Sequence, residues 1–414
     1  MLNLIGQYKQ LNRSVVLVIC AAFFIQLIDY SYLTILLIYM KKSGYADYQA
    51  ADFYGYRFLS VLLFSFYLGF YINGRKLKPL FYFSAIASPL ISLGIIYAIQ
   101  YKLDFLVYSG MFMLGIAVLG LEVAILPYLL RNVDENFHNE AISLNYAVAN
   151  LSSVVSSILI IILTAINPAV FDAELILKII SVLGLGGILF IYLDKKPEFF
   201  VPILKRSRYD FRDIKWKRVI KAMIPTFLIA TGAGLLVPFM GLFFYTVHGV
   251  EYDRFALISL IATVIVFVVM VFAPAIKNRF GYKVAIVSTQ SLAVLCLVGL
   301  SFSEFYGPDI YALFLAIFCF MFRQPLMNLA MPITSELTMK YVGFRHREII
   351  SALTAAIWSG SWFFSINIFR IMRAHEINYA YIFYITAGLY ILSISWYYYL
   401  AGQYEIKAKN RDLD

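Results

Sequence analysis

The chain has 414 residues, of which 62% are hydrophobic and only 14% are charged, and its mean hydropathy is +0.79. Soluble domains are about 45–50% apolar, so this composition excludes a soluble globular protein and indicates a membrane protein. The net charge of +10 comes mostly from loops between apolar segments, which predicts contact with anionic lipid rather than binding to nucleic acid.

Long, nearly uncharged segments follow one another along the whole chain. A hydrocarbon core of roughly 30 Å takes about 20 helical residues, and these segments are too long for the strands of a barrel. Since lipid cannot satisfy free backbone groups, each segment must be helical. We therefore predict an all-α polytopic membrane protein with twelve transmembrane helices. The predicted spans are 14–40, 53–73, 79–101, 105–131, 139–166, 173–194, 219–247, 254–276, 283–303, 309–340, 346–372 and 378–403.

Lysine and arginine are distributed unevenly between the loops. When the loops are assigned alternately, one side carries 25 basic residues and the other carries seven, while Arg57 and Arg323 lie within spans. The positive-inside rule then predicts that both termini are cytoplasmic. We expect an integral protein of the cytoplasmic (inner) membrane of a bacterium.

The two halves of the sequence repeat each other. "HNEAIS" occupies 138–143 and "HREIIS" occupies 346–351, 208 positions later, and Tyr245 follows Tyr39 at an offset of 206. A recurring offset near half the length indicates a parallel repeat of six helices. We therefore predict the following division: an N-terminal bundle at 1–194, a basic cytoplasmic linker at 195–218, a C-terminal bundle at 219–403 and a cytoplasmic tail at 404–414.

The turn between the predicted helices eight and nine carries a recognisable motif. "PAIKNRFGYK" at 274–283 resembles the cytoplasmic signature of the major facilitator superfamily, with Asn278, Arg279, Gly281 and Lys283 in its last four positions. This signature also occurs between helices two and three, where the chain reads "GFYINGRKLK" at 69–78.

The first-half motif keeps Gly69 and the basic residues that include Arg75, but Asn73 stands where the acid is expected. The resemblance implies two six-helix bundles that give alternating access to a cavity lined mainly by helices one, four, seven and ten. It also implies a cytoplasmic gate that includes Asn73, Arg75, Asn278, Arg279 and Gly281.

Three ionisable residues lie deep in predicted spans. Asp29, Glu122 and Arg323 fall on helices one, four and ten. An ionisable side chain at the centre of a membrane costs roughly 2.5–3.5 kcal/mol, so such residues indicate function. We predict that the two acids couple transport to protons and that Arg323 serves as counter-ion or binds substrate. The alternative is a structural ion pair. Arg57, nearer a helix end, is expected to reach the interface.

Further residues are candidates for contact with substrate. Tyr32 follows Asp29 at i+3, and Trp358 and Trp362 lie one turn apart on helix eleven. Asn145 and Asn328 could supply polar contacts, although asparagines also hold helices together. Aromatic residues around a buried charge would suit an amphipathic molecule, but a chain with 36 Phe and 32 Tyr has many aromatic neighbours by chance.

Several residues near the predicted cytoplasmic ends suggest a gate or a bend. Glu140 and Glu348 each lie in a first helical turn, where the partial positive charge of the helix favours carboxylates, and Glu336 is expected to pair with nearby basic residues. Gly232, Gly234 and Pro238 would let helix seven bend, although close packing explains the glycines equally well. We assign all three glutamates to the cytoplasmic gate.

No catalytic or nucleotide-binding motif is present in the sequence. A Walker A pattern, HExxH, GxSxG and a Cys/His cluster with ligand spacing are all missing, so we predict neither an enzyme nor a metal site nor a cofactor. The leading hypothesis is a monomeric, proton-coupled secondary transporter of a small organic molecule. The alternatives are facilitated movement of a lipid-like substrate and a receptor or scaffold that does not transport.

Overall fold

The computed structural model describes residues 11–72, 75–133, 138–195, 216–270, 273–306, 309–342 and 347–409. Within these ranges the chain forms twelve long helices and no strand, which confirms the all-α prediction. The helices are α1 (Arg13–Lys42), α2 (Asp47–Tyr71), α3 (Lys78–Gln100), α4 (Asp104–Asn132), α5 (His138–Ile166), α6 (Ala173–Leu193), α7 (Trp216–His248), α8 (Tyr252–Met270), α9 (Ala273–Ser303), α10 (Ile310–Val342), α11 (Arg347–Ala374) and α12 (Tyr379–Lys409).

Ten of these helices, all except α2 and α11, are long and apolar enough to cross a membrane when the described residues are considered. Most predicted boundaries lie within a few residues of the observed ones, because the length of each span follows from the thickness of the membrane. The largest difference is at α9, which begins at Ala273 instead of residue 283. Differences of six residues occur at the start of α2 (Asp47 instead of residue 53), at the end of α8 (Met270 instead of residue 276) and at the end of α12 (Lys409 instead of residue 403).

The chain divides into two compact units. Unit 1 consists of residues 1–46 and 53–208, and unit 2 consists of residues 47–52 and 209–414. In unit 1, α1 packs against α3, α5 and α6, and α3 packs against α4. In unit 2, α9 packs against α10 and α12, and α7 packs against α11 and α12. Each unit has its own apolar core.

Residues 47–52 are held in unit 2 by the ends of α11 and α12. The Asp47 carboxylate pairs with Arg373 at 2.8 Å and accepts a hydrogen bond from the Tyr379 hydroxyl at 2.8 Å. Asp52 pairs with Arg370 at 3.2 Å. As a result, α2 begins in unit 2 and continues in unit 1.

Two helices are irregular in their middle. Helix α1 contains a π turn at Tyr32–Leu36, a feature often found at functional sites. Helix α7 contains a 3-10 turn at Val237–Phe239 that includes Pro238, which cannot donate to the helical ladder. A Cβ on Gly232 would overlap the Tyr390 ring, and one on Gly234 would overlap Ser365 and Trp362. The glycines therefore serve close packing, and the proline marks the irregular turn.

The end of α6 is anchored by a buried carboxylate. Asp194 pairs with Lys78 at 2.8 Å and accepts a hydrogen bond from the Tyr128 hydroxyl at 3.1 Å. Burial alone would raise the pKa of the Asp194 carboxyl, but hydrogen bonds from Lys78, Ser14 and Tyr128 outweigh it and lower the pKa below its usual value. The anchor joins the ends of α3, α4 and α6.

We expect Asp194→Asn to lower the stability of unit 1 by about 1–3 kcal/mol at neutral pH, because hydrogen bonds to a charged group are lost. A carboxyl with a lowered folded-state pKa stabilises above its unfolded pKa of about 3.9, and this contribution is lost as pH falls through the folded-state value. The difference in Tm between wild type and variant should therefore shrink at acid pH. Glu376→Gln, at an exposed acid, is the control. A difference in Tm that stays constant between pH 7 and pH 3 would contradict this account.

Candidate functional site

A buried ion pair joins α1 and α2 inside unit 1. Arg57 is only 7% exposed, and its guanidinium pairs with the Asp29 carboxylate. Arg57 Nη1 donates to the Tyr54 hydroxyl at 3.3 Å, and the guanidinium lies 5.9 and 5.4 Å from the centres of the Tyr54 and Phe58 rings. The prediction that Arg57 reaches the interface is therefore wrong, because the true start of α2 places it about three turns inside the helix.

Glu122 is the second acid of this site. It lies within electrostatic range of both Asp29 and Arg57. Its side chain is exposed, and Leu126, one turn later, is exposed beside it. At 100° per residue, Glu122 lies about 100° from Phe105 and about 160–180° from Leu106 and Met113, which are large exposed apolar side chains of the same helix. Glu122 therefore points away from Leu106 and Met113, while the exposed Leu126 lies on its own side of α4.

Helix α4 reaches the ion pair because a glycine lies at the crossing. A Cβ on Gly115 would overlap both the Ser60 hydroxyl and the Arg57 carbonyl oxygen. Ser60 itself donates to that carbonyl at 2.7 Å, which fixes its side chain against the α2 backbone. The contact sets the spacing between α2 and α4 next to the charged residues.

The three charged residues, which we call the acid–base cluster (Asp29, Arg57 and Glu122), contain two carboxylates and one guanidinium. With both acids ionised the cluster carries one net negative charge, and binding of one proton makes it neutral. Net charge is costly in a weakly polar interior, so the two protonation states differ in how well they tolerate dehydration. The arrangement is suited to reversible uptake of a single proton.

Arg323 does not occupy the place that was predicted for the base. It is 3% exposed, and its Nη2 lies 3.4 Å from the Tyr390 hydroxyl. Within the described part of unit 2, no carboxylate forms an ion pair with it. It lies on the buried stripe of α10 with Ala316 and Cys319. The sequence identified its depth in the membrane but not the face of the helix on which it lies.

Tyr32 is part of the packed interior of unit 1, within electrostatic range of Arg57 but with its hydroxyl bonded to other partners. It is 1% exposed, and its hydroxyl donates to the Ser92 carbonyl oxygen at 3.0 Å. The Ser92 hydroxyl in turn lies 2.7 Å from that of Ser181 on α6. Tyr32 is rotated about 60° from Asp29, which is enough to direct it toward α3 and α6. Its predicted contact with substrate is therefore not supported.

The other predicted contact residues are partly exposed. Asn145 on α5 has a buried amide oxygen with no hydrogen-bond partner among the described residues. Asn328 on α10 donates to the Gln324 carbonyl oxygen at 2.8 Å. Trp358 and Trp362 are half-buried, with ring centres 6.4 Å apart. Contact of Asn145, Asn328, Trp358 and Trp362 with substrate therefore stays a prediction.

The predicted gate is only partly described. Asn73 and the side chains of Glu140 and Glu348 lie outside the described part of the chain. Arg75 is exposed, with its guanidinium 4.3 Å from the centre of the Tyr71 ring. Arg131 donates to the Arg75 and Ile72 carbonyl oxygens at 2.9 and 3.2 Å, so the end of α4 holds the end of α2.

In unit 2, Glu336 pairs with Lys277 at 3.0 Å and with Lys340 at 2.7 Å. Lys277 lies in the short helical segment at the beginning of α9, beside the exposed residues Asn278 and Arg279. Gly281 has φ +74°, a left-handed conformation that favours glycine, and it produces the kink within α9. The left-handed backbone at this kink therefore explains why the motif has glycine at position 281.

Arg57 and Gly115 are the residues that sequence reasoning missed. The sequence contained an indication of the position of Arg57. Acidic residues such as Asp47 are favoured in the first turn of a helix, and a helix that begins at Asp47 places Arg57 well inside the span. No comparable signal marks Gly115, because small residues are common in membrane helices.

Comparisons with known proteins agree with this architecture. The family model described as Major Facilitator Superfamily matches residues 18–366. No curated protein sequence matches the chain. Among solved structures, the POT family transporter PepTSo aligns with a TM-score of 0.73 at 12% identity, covering 95% of this chain and 99% of that one.

Two further structures show the same fold. A bacterial homologue of the iron transporter ferroportin, in its inward-facing state, aligns with a TM-score of 0.75 at 12% identity and covers 94% and 98% of the two chains. A D-xylose–proton symporter aligns with a TM-score of 0.70 at 13% identity and covers 93% and 97%. At these identities the likeness concerns the fold alone.

Proposed function

Because the chain belongs to the major facilitator superfamily, and is thus an integral membrane transporter rather than an enzyme, we propose that it couples the movement of a small organic molecule to the movement of protons. The observation that carries this proposal is the acid–base cluster of Asp29, Arg57 and Glu122 in unit 1. A cluster of two acids and one base inside a membrane protein carries one net negative charge and becomes neutral when it takes up one proton.

We assign different roles to the two acids. Asp29 is the fixed counter-ion, because its carboxylate is paired with Arg57. Glu122 is the exchanging group, because it is exposed and interacts with Arg57 only at longer range. Ionised Glu122 competes with Asp29 for the guanidinium, and protonated Glu122 leaves the Asp29–Arg57 pair neutral. Proton uptake at Glu122 therefore removes the net charge of the cluster.

The remaining features of the proposal come from the family and from the sequence. The bundles at 1–194 and 219–403 would give alternating access in a monomer, with both termini on the cytoplasmic side of a bacterial inner membrane. The Glu336 ion pairs and the loop motifs would belong to the cytoplasmic gate. The D-xylose–proton symporter, a structural neighbour, is by name proton-coupled, which supports coupling as a mode of action for this fold.

Proton movement in proteoliposomes tests the coupling. The purified protein is reconstituted with a pH-sensitive dye inside the vesicles, and a panel of sugars, nucleosides, peptides and organic acids is added outside. We expect at least one compound to change the internal pH in wild type. Glu122→Gln should abolish this change, because the amide cannot bind a proton, and Asp29→Asn with Glu122→Gln should do the same.

The control is Glu405→Gln, which removes an exposed acid near the end of α12 and should leave proton movement unchanged. If the same compound moves protons equally well through the Glu122→Gln variant, Glu122 is not the coupling residue. If no compound moves protons through wild type, the proposal of proton coupling is overturned.

A further inference from the structure

Helix α10 has three distinct faces in the middle of its length. Its apolar face consists of large exposed side chains, with Tyr311, Phe314, Phe318 and Phe322 at 81%, 72%, 50% and 53% exposure. Its buried stripe includes Cys319 and Arg323, about a third of a turn away. We call the remaining face the amide face, and it consists of Gln324, Asn328, Met331 and Ser335.

The amide face is partly accessible. Gln324 and Asn328 are half-exposed, and Met331 and Ser335 are exposed. They recur at spacings of three and four residues, so they form one continuous strip. Gln324 and Asn328 lie at the centre of α10, where polar groups facing hydrocarbon would be costly, whereas the aromatic face suits lipid. Gln324 and Asn328 are therefore better suited to a polar neighbour than to lipid.

The internal repeat supports a functional role for this face. Asn328 follows Glu122 at an offset of 206, the same offset that separates Tyr39 and Tyr245. Helices α4 and α10 are thus equivalent in the two halves, and each carries an accessible polar residue at the equivalent position. Glu122 belongs to the proposed coupling site, while its counterpart Asn328 cannot change charge.

The hydrogen-bonding capacity of the amide face indicates what it can bind. The Asn328 amide nitrogen donates to the Gln324 carbonyl oxygen at 2.8 Å, which leaves the side-chain oxygen of Asn328 as an acceptor. The Gln324 side-chain amide can both donate and accept. A hydroxyl group also donates and accepts, so it can satisfy both residues. A carboxylate or phosphate only accepts, and the Arg323 charge that could attract it lies on the buried stripe.

We propose that Gln324 and Asn328 form a substrate-binding strip that selects a neutral, hydroxyl-rich molecule of the sugar or nucleoside type, and that Arg323 takes no part in binding. This inference rests on the proposed transport function but is independent of its coupling to protons. It differs from the expectation drawn from the sequence, in which Arg323 binds the substrate.

Ligand-induced stabilisation of the purified protein tests the proposal without any membrane gradient, since a ligand that binds the folded state raises Tm. The probes form matched pairs that differ in charge: D-glucose with D-glucuronate, and uridine with uridine monophosphate. We expect stabilisation by at least one neutral probe and by neither anion. Asn328→Ala and Gln324→Ala should each weaken binding roughly three- to tenfold, the effect of one hydrogen bond.

Asn367→Ala is the matched control. Asn367 on α11 is half-exposed, donates to the Phe363 carbonyl oxygen at 3.0 Å in the same manner as Asn328, and has the exposed apolar neighbours Phe364 and Ile368. Its replacement should leave the binding of the neutral probe unchanged.

Three outcomes would overturn the inference: stabilisation by the anionic probes alone, stabilisation by none of the four probes, or binding that is equally strong in the Asn328→Ala and Gln324→Ala variants. The experiments distinguish failure of this inference from failure of the proposed proton coupling. If a neutral probe binds through Asn328 but moves no protons in proteoliposomes, the binding strip is supported and proton coupling is contradicted. If glucuronate alone moves protons, proton coupling is supported and the binding strip is contradicted.

Discussion

Replacing Arg57 with methionine is expected to destabilise unit 1 by about 3–5 kcal/mol, the usual effect of removing one partner from a buried ion pair. Methionine fills a similar volume but leaves Asp29 without its cation and brings two carboxylates together with no base. Because Asp29 keeps 27% of its side chain exposed, water offsets part of the penalty, and the effect should lie toward the lower end of this range. Thermal unfolding in detergent measures it.

A second variant separates the ion pair from simple packing. Arg57→Met combined with Asp29→Asn removes both charges of the ion pair and should recover a large share of the lost stability, because the one charged group left in the cluster, Glu122, is exposed. Neither protein should couple transport to protons, because Glu122 no longer has a guanidinium with which to interact. If the double variant is as unstable as the single one, the loss comes from the packing of Tyr54 and Phe58 around the side chain rather than from the unpaired carboxylate.

Replacing Gly115 with alanine is expected to have the second large effect. The added methyl group would overlap the Ser60 hydroxyl and the Arg57 carbonyl oxygen, and the carbonyl belongs to a helical backbone that cannot rotate away. The helices α2 and α4 must separate, at a cost of about 1–3 kcal/mol or more. Since Glu122 lies about two turns beyond Gly115, this separation should also weaken its interaction with Arg57 and reduce proton movement in proteoliposomes.

Gly94→Ala provides the control for Gly115→Ala. A Cβ at Gly94 on α3 would meet no atom within 4 Å, so this variant tests the loss of a helical glycine without any overlap. Alanine is the better helix former, so Gly94→Ala should be neutral or slightly stabilising. Equal stability of the two variants would show that the α2–α4 crossing has room for a methyl group and would remove the stated role of Gly115.

The contrast between Arg57 and Arg323 shows where sequence reasoning stopped. Both arginines lie inside membrane helices, and the sequence ranked Arg323 first because it is deeper in its span. In the structure Arg57 forms the ion pair with Asp29, while Arg323 meets the Tyr390 hydroxyl in the interior of unit 2. Depth follows from counting residues, but the choice of partner depends on which helices are neighbours and on the rotation of each one.

Tyr32 illustrates the same limit on a smaller scale. Its position three residues after Asp29 placed it on the same side of α1, yet a rotation of about 60° directs its hydroxyl to Ser92 on α3. The π turn that begins at Tyr32 changes the register of the residues that follow. No pattern in the sequence identifies such a turn.

By itself the sequence determined the all-α membrane architecture, the approximate limits of the twelve helices, the family resemblance and two members of the acid–base cluster, Asp29 and Glu122. These properties follow from hydrophobic length and from the rarity of charge in a membrane, which are local properties of the chain. The tertiary structure alone decided that Arg57 completes the cluster, that Gly115 allows α4 to approach it, and that Gln324 and Asn328, rather than Arg323, are accessible on α10. Those outcomes depend on helix rotation and on packing between segments far apart in the chain, and the spacing of residues within one helix does not contain that information.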